Sequence, residues 1–353
     1  MPDLVTISVD AMGGDHGPAV TVPAVAAYLR RAGGAGVRFQ LHGDEAAIRA
    51  ELAKLALAGD VVEVRHTDKV VAMDEKPAQA MRRGKGSSLW NAIEAVKSGE
   101  AQAVVSAGNT GALMAISKLI LRMSAHGLER PAIVASWPNM KGGITAVLDV
   151  GANVESDAEQ LVEFAIMGEA FVEAVHGVKR PKIGILNVGS EDMKGHESVR
   201  EAARLLREGG FGLAYEGFVE GDDIAKGTVD VVVTDGFTGN IALKTAEGVA
   251  RYIFAQFKGA LTSGVMARTG ALLALPALKR MRQRIDPSAI NGGPLLGLNG
   301  IVVKSHGGAD ARGFSNAVRI AVELARSDYL TKVGANLNRL TAVLAEPAQE
   351  TPK

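Results

Sequence analysis

The sequence predicts an α/β fold built around a mostly parallel sheet, on three observations. Short apolar runs alternate with amphipathic stretches at helical spacing, the rhythm of repeated β-α-β units. Six of the runs stop in clusters of Gly, Asn, Asp or Ser. Glycine is in excess at 42 of 353 residues, about 12% against roughly 7% on average, and the surplus gathers at those stops. Glycine used in this way lets backbone approach a ligand. Apolar residues at 47% and charged residues at 22% describe an ordinary globular chain, long enough for one large lobe or two joined ones.

The first strand is the alternating run Val5, Ile7, Val9, which halts in Asp10-Ala-Met-Gly-Gly-Asp-His-Gly-Pro18. Val22, Val25, Ala26 and Leu29 then fall at helical spacing within residues 19–31, and Gly33 to Gly36 closes that helix. Residues 37–41 form the next strand, 44–57 a helix with Asp44 as N-cap, and 61–64 a third strand. Residues 66–88 break the rhythm with a Met73-Asp-Glu-Lys-Pro77 turn and the basic run Arg82-Arg-Gly-Lys85. A helix over 89–97 leads to a strand over 101–106, which ends in Ser106-Ala-Gly-Asn-Thr-Gly111 before an apolar helix over 112–123. Further strands are expected over 132–136, 145–149, 182–186, 229–234 and 300–304. The last four run into Asp149-Val-Gly-Ala-Asn153, Asn187-Val-Gly-Ser-Glu-Asp-Met-Lys-Gly195, Asp235-Gly-Phe-Thr-Gly-Asn240 and Ser305-His-Gly-Gly308.

In a parallel sheet the carboxyl ends of the strands lie along one edge, and ligands bind in the crevice outside it. Six polar loops on one edge imply one polar site, with the turns at 32–36 and 141–143 assigned to the opposite edge. Taken singly, each loop needs no function, because Gly and Asn there also serve as turn and capping residues.

Composition narrows the chemistry. Formal net charge is zero, and four Tyr, two Trp and nine Phe are few for base stacking, so nucleic acid is not an expected partner. The chain has no cysteine, which excludes disulfides, cysteine-ligated zinc and a cysteinyl acyl-enzyme. Walker A, Gly-x-Gly-x-x-Gly after the first strand, Gly-x-Ser-x-Gly and His-Glu-x-x-His are all missing from the sequence. No metal and no cofactor is expected. Gly13-Gly14 and Gly108-Asn109-Thr110-Gly111 present successive amides beside helix N-termini, the arrangement that holds an anion such as phosphate. Lys194 offers a point charge to phosphate or to an oxyanion, and His306 a group that moves protons near neutral pH. Asp10, Asp15, His16 and Asp235 support these groups or cap helices.

Those motifs closely resemble the bacterial phosphate acyltransferase family, PlsX. The resemblance rests on residues 10–18, 106–112, 148–153 (Leu-Asp-Val-Gly-Ala-Asn), 187–195 and 235–240, and on Gly-Gly-Pro-Leu-Leu-Gly from 292 through Lys-Ser-His-Gly ending at 307. It runs in order over roughly residues 4 to 335. It implies a three-layer α/β/α fold of the isocitrate/isopropylmalate dehydrogenase-like kind, shared with phosphotransacetylases, in a homodimer. It further implies transfer of a long-chain acyl group from acyl carrier protein to inorganic phosphate. The acyl phosphate would then pass to a membrane glycerol-3-phosphate acyltransferase of the PlsY type.

A compatible route is direct attack of bound phosphate on the thioester carbonyl. Phosphate rests on the Gly13-Gly14 and Gly108 to Gly111 amides, Lys194 steadies charge, and His306 assists the proton, with Asp10 and His16 in support. Asp15, Ser106, Asn153, Asn187, Asp235 and Asn240 complete the expected substrate contacts. The alternatives are a phosphotransacetylase-like enzyme using acyl-CoA, a nicotinamide-dependent dehydrogenase on the same fold, and a non-catalytic membrane scaffold.

From Lys258 to Ile285 there is no acidic residue. Leu272, Leu275, Leu278, Met281 and Ile285 follow helical spacing, while Lys279, Arg280 and Arg284 fall on another side, with Arg268 and Arg282 adding to the basic content. Too short to span a bilayer and carrying Pro276, the segment is expected to lie on an anionic membrane surface, to receive the acidic carrier protein, or to pack on a dimer mate. No leader-like run and no uncharged stretch approaching roughly 20 residues is present, so the expected location is cytoplasmic, peripheral to the inner face of the cell membrane. Residues 1–345 are expected to form one catalytic domain from which 258–285 protrudes, and 346–353 a flexible tail.

Overall fold

A computed structural model describes residues 4–32, 36–55, 61–124, 130–284, 291–335 and 337, with the backbone alone for 32 and 279–284. The expected tail, the turn residues 33–35 and Ile285 lie outside these residues, as do the side chains of Met281, Lys279, Arg280, Arg282 and Arg284.

The elements follow the chain as β1 (Val5–Asp10), α1 (Pro18–Ala32), β2 (Val37–Gly43), α2 (Glu45–Ala53), β3 (Val62–His66), α3 (Pro77–Arg83), α4 (Ser88–Lys97) and β4 (Ala103–Ser106). Next come α5 (Thr110–Leu121), β5 (Ala132–Pro138), β6 (Ile144–Leu148), α6 (Ala158–His176), β7 (Lys182–Leu186), α7 (Glu197–Glu208), β8 (Ala214–Val219) and α8 (Gly221–Lys226). The chain continues through β9 (Val231–Val233), α9 (Gly236–Thr262), α10 (Val265–Arg284), β10 (Gly293–Leu296), β11 (Ile301–Lys304) and α11 (Ala311–Arg326).

Local chemistry sets the helix starts. Asp44 caps α2 by accepting the Ala46 and Ala47 amides, as expected. Ser87 caps α4 through the Trp90 amide, and Asp157 with Gln160 closes a capping box on α6, which ends at Gly177 in the left-handed conformation.

The strands join into one sheet in the order β3-β2-β1-β4-β11-β10-β5-β6-β9-β7-β8. Helices cover both faces, giving the expected three-layer α/β/α architecture. Ile7, Val9, Val105, Val303, Leu148 and Val231 face α1, α6 and α11 in the larger core cluster, where Phe39, Phe164, Phe171 and Phe314 are fully buried. Val104 and Val302 point the other way, to Ala80 of α3, to Trp90 and Ile93 of α4 and to Leu113 and Ile116 of α5. Val147 and Val232 pack on Ile224 of α8 on that same side, linked through Ile133. Each such side chain contributes about 1.5–3 kcal/mol through burial.

Strand direction overturns one expectation. β1, β2, β3, β4 and β11 are mutually parallel, as are β6, β9, β7 and β8. Three antiparallel pairings separate the two sets, β11 with β10, β10 with β5, and β5 with β6. An odd number of reversals makes the sets run oppositely. The loops after β1, β4 and β11 therefore leave one edge of the sheet, and those after β6, β7 and β9 leave the other. The turn at 141–143, expected on the opposite edge, lies within the 139–143 link on the β1/β4/β11 edge. The cause is its length: so short a link cannot make a parallel crossover, so β6 must fold back on β5.

The basic apolar segment is also not one element. The end of α9 and all of α10 meet at a break beside Ser263 and Gly264, bent by 115°. Beyond the buried Gly236 and Gly239, α9 carries Val249, Tyr252, Ile253, Phe254 and Phe257 half-exposed or more, and α10 carries Val265, Met266, Leu272 and Leu273 still more open. Leu275 is exposed and Leu278 partly buried. No single helix among the described residues is long and apolar enough to cross a membrane.

Candidate active site

Three side chains stand in register at the carboxyl ends of adjacent parallel strands: Asp10 beside Ser106, and Ser106 beside Lys304. Residues in register on parallel strands share a face. This is the α4/α5 face, because Val104 and Val302, two residues earlier, pack there. Ser106 donates its hydroxyl to Asp10 Oδ2 at 2.7 Å and accepts the Gly108 amide at 2.9 Å. Asp10 is only 2% exposed, and its Oδ1 has no hydrogen-bond partner among the described residues. Burial pushes its carboxyl above the usual range, opposed by the hydroxyls of Ser88 and Ser106 and the amides of Met12 and Gly13.

The turn after β1 lies directly against this pair. A Cβ on Gly13 would stand 2.5 Å from Asp10 Oδ2 and 2.7 Å from the Gly108 nitrogen. A Cβ on Gly14, at φ +90°, would stand 2.9 Å from both the Ala107 side chain and the Gly307 carbonyl oxygen. The Asp15 amide donates to Gly307 O at 3.0 Å, joining the β1 and β11 loops, and the amides of Gly14 and Gly307 meet no acceptor among the described residues. Unused N–H groups clustered beside the N-terminus of α5 form a cradle for an anion.

Lys304 adds a cation. Its ammonium donates to Ala107 O at 3.3 Å and to Ser305 O. Burial pushes it down to about 8, while Asp10 and then Asp15 act to raise it. His306 is exposed, with its amide donating to Asn291 Oδ1 at 3.0 Å and its Nδ1 accepting the Gly308 amide at 3.1 Å. With Nδ1 an acceptor, the neutral ring carries its proton on Nε2 and offers a donor there. Asn291 Nδ2 also holds Ser305 Oγ at 2.8 Å, and Asn316 of α11 donates to Asn291 O at 2.9 Å, so α11 fixes the loop from behind.

The remaining predicted residues at this edge divide by what their side chains do. Asn109 caps α5 through the Ala112 amide and donates to the carbonyls of Met73 and Glu75, bringing Met73 beside Gly307. Its polar atoms are thereby engaged in positioning. Thr110 is exposed at the first turn of α5, and Gly111 lies against Pro77. Asp15 and His16 are exposed, with the Asp15 carboxylate beside Gly307 and Gly308.

Asn153, Asn187, Lys194, Asp235 and Asn240 are not brought here. They gather at the opposite edge, where Asp149 accepts the amides of Ile133, Gly151, Ala152 and Asn153. Asn153 Nδ2 also donates to Asp149 and to Pro131 O, and Asp235 caps α9 through the Thr238 amide. Asn187 accepts the Val188 amide and donates to Lys194 O. Lys194 itself is exposed and paired with Glu191 at 2.8 Å, and Asn240 is exposed beside Gly151. The expectation of one site built from all six loops is corrected to two clusters. At a strand spacing of about 4.8 Å, the three steps from β11 to β6 alone separate them by roughly 14 Å.

Sequence reasoning missed Lys304, Asn291 and Asp149. Lys304 reads as the last residue of an apolar strand, and only the three-strand register puts it across Ser106 from Asp10.

The comparisons agree with this architecture. A model of the family described as fatty acid synthesis protein matches residues 5–332. A phosphate acyltransferase of Caulobacter vibrioides is 69% identical over 98% of this chain and 95% of its own length. Another from Phenylobacterium zucineum is 60% identical over 100% and 99%. Among solved structures, a phosphotransacetylase from Streptococcus pyogenes covers 91% of this chain and 94% of its own at a TM-score of 0.61 and 18% identity, which speaks to the fold. With its motifs in order and the match spanning nearly the whole chain, the protein belongs to the fatty acid synthesis protein family, PlsX, whose curated relatives are named phosphate acyltransferases.

Proposed function

We propose that this enzyme transfers a long-chain fatty acyl group from an acyl-carrier-protein thioester to inorganic phosphate, yielding acyl phosphate for phospholipid synthesis and the free carrier thiol. The observation that carries this reading is the cradle where Gly13 meets Gly108 and Gly14 meets Gly307, with unused amides at Gly14 and Gly307. Phosphate held there needs no covalent help from the enzyme. One of its oxygens attacks the thioester carbon, the C–O bond forms, the C–S bond breaks, and the proton lost by hydrogen phosphate ends on the departing thiolate. The amides hold the nucleophile in place, and the Nε2–H of His306 supplies a donor for the carbonyl oxygen or the thiolate.

The acyl donor would dock by charge complementarity to its acidic carrier. The exposed apolar rows of α9 and α10, with Lys258 and Arg268, suit an anionic membrane surface or a second copy of the chain. A homodimer handing acyl phosphate to a membrane glycerol-3-phosphate acyltransferase of the PlsY type follows from that reading.

The test incubates purified protein with palmitoyl-ACP and phosphate and follows thiol release. Release that depends on phosphate, with acyl phosphate as product, is expected. Activity with acetyl-CoA and none with palmitoyl-ACP would instead favour a short-chain phosphotransacylase.

A further inference from the structure

We propose that Lys304 is the phosphate-binding cation of the β1/β4/β11 site, holding the dianion against the backbone amides of Gly14 and Gly307. The proposal rests on reading the chain as a phosphate acyltransferase.

The geometry leaves this ammonium incomplete. It has three N–H groups, and the chain answers two of them with the carbonyls of Ala107 and Ser305. No carboxylate among the described residues comes within ion-pair distance, although Asp10 and Asp15 both act on its charge. Partly buried cations are ordinarily paired. Across the same register stands Asp10, with Oδ1 unpartnered and its other oxygen occupied by Ser106. The cradle adjoins both, with Gly13 against Asp10 Oδ2 and with Gly14 and Gly307 against Ala107, whose carbonyl Lys304 holds. A phosphate dianion placed there would take the third N–H of Lys304, accept the Gly14 and Gly307 amides, and offer its own hydroxyl to Asp10 Oδ1.

The same site explains why a lysine at a strand end is preferable to one on an exposed loop. Lys194 lies at the other edge, exposed and engaged by Glu191. Lys304 is held by β11 between two neighbouring strands, so its charge is in place before phosphate arrives. A cation already positioned stabilises developing negative charge without reorganising during reaction.

Calorimetry with inorganic phosphate, on the full chain without acyl donor, is the direct test. Lys304→Met should weaken phosphate binding about 10- to 100-fold, the size of one lost charged hydrogen bond, and raise the phosphate KM in step. The KM for acyl-ACP should stay within about twofold. Lys304→Arg should recover part of the phosphate affinity. Should Lys304→Met fail to fold, the wild-type enzyme still answers with sulfate as probe, because sulfate stays doubly charged throughout. Its affinity should fall as pH rises through about 8, where the ammonium loses its proton. A flat sulfate profile from roughly pH 6.5 to 9.5, or a folded Lys304→Met with phosphate affinity within about twofold of wild type, would overturn the proposal. Failure of acyl transfer with phosphate binding intact would instead strike the functional reading and leave this site standing.

Discussion

Gly13 has no space for a side chain, because any Cβ would be driven into Asp10 Oδ2 and the Gly108 amide. Gly13→Val should therefore push the β1 turn off the α5 loop and open the cradle. The expected result is a phosphate KM raised about tenfold or more, with the KM for acyl donor within about twofold, read by steady-state kinetics with each substrate varied. Far from the site, Glu163 of α6 is 8% exposed with Oε2 unpartnered, and burial, with Asp157 and Glu159 nearby, pushes it up to about 7. A carboxyl with a raised folded pKa is protonated in the native state up to about pH 7 and in the unfolded chain only up to 4.5, so stability falls as pH rises between them. Glu163→Gln should thus raise Tm at pH 8, by a gain of about 3 kcal/mol at most, and the gain should disappear by pH 4.5. A thermal melt of both proteins at the two pH values decides it. The glycines and Asp10 were legible because their types and spacing signal a strand-end turn. Lys304 was not, since nothing in a strand's own sequence says which strands will flank it.

At the scale of elements, one side chain ties a helix to a loop. Asn109 caps α5 and grips the carbonyls of Met73 and Glu75, so Asn109→Ala should cost about 1 kcal/mol of stability from the lost cap. It should also free the 73–75 turn, seen as faster amide exchange there than in the wild type. The helix pair α9–α10 makes the opposite case, with apolar side chains that the chain does not cover. Replacing the exposed Leu272 and Leu273 by Glu should reduce co-sedimentation with anionic vesicles about 100-fold, while turnover on soluble acyl-ACP stays within about twofold. Unchanged vesicle binding would remove the membrane reading and leave the second copy. The early strands and their helices were readable from period and caps. α6 was not singled out: residues from Leu161 to Val172 are buried on nearly every side, so it carries no polar face to mark its period. The break between α9 and α10 was equally hidden, because Ser263 and Gly264 interrupt an apolar and basic run without changing its composition.

At the scale of the molecule, the sheet's change of direction decides which residues act together. Each half is parallel, and each half ends its strands in Gly, Asn and Asp, so the six loops look alike in sequence while leaving opposite edges. The signal that separates them was present in the five-residue link 139–143 between β5 and β6, too short for anything except a hairpin. Once that reversal is admitted, Lys194 and His306 cannot meet within one chain. Five strand spacings and the length of a strand stand between them, on the order of 28 Å. Lys194 is moreover exposed and held by Glu191 in a pair worth little in water. Lys194→Ala should accordingly leave the phosphate KM within about twofold of wild type, in contrast to substitution of Lys304. If it instead raised the phosphate KM about tenfold in a folded enzyme, the lysine would have to arrive from another copy of the chain. Mixing the Lys194→Ala and His306→Ala proteins would then lower the phosphate KM towards that of wild type, since a mixed dimer would rebuild one intact site from the two opposite edges.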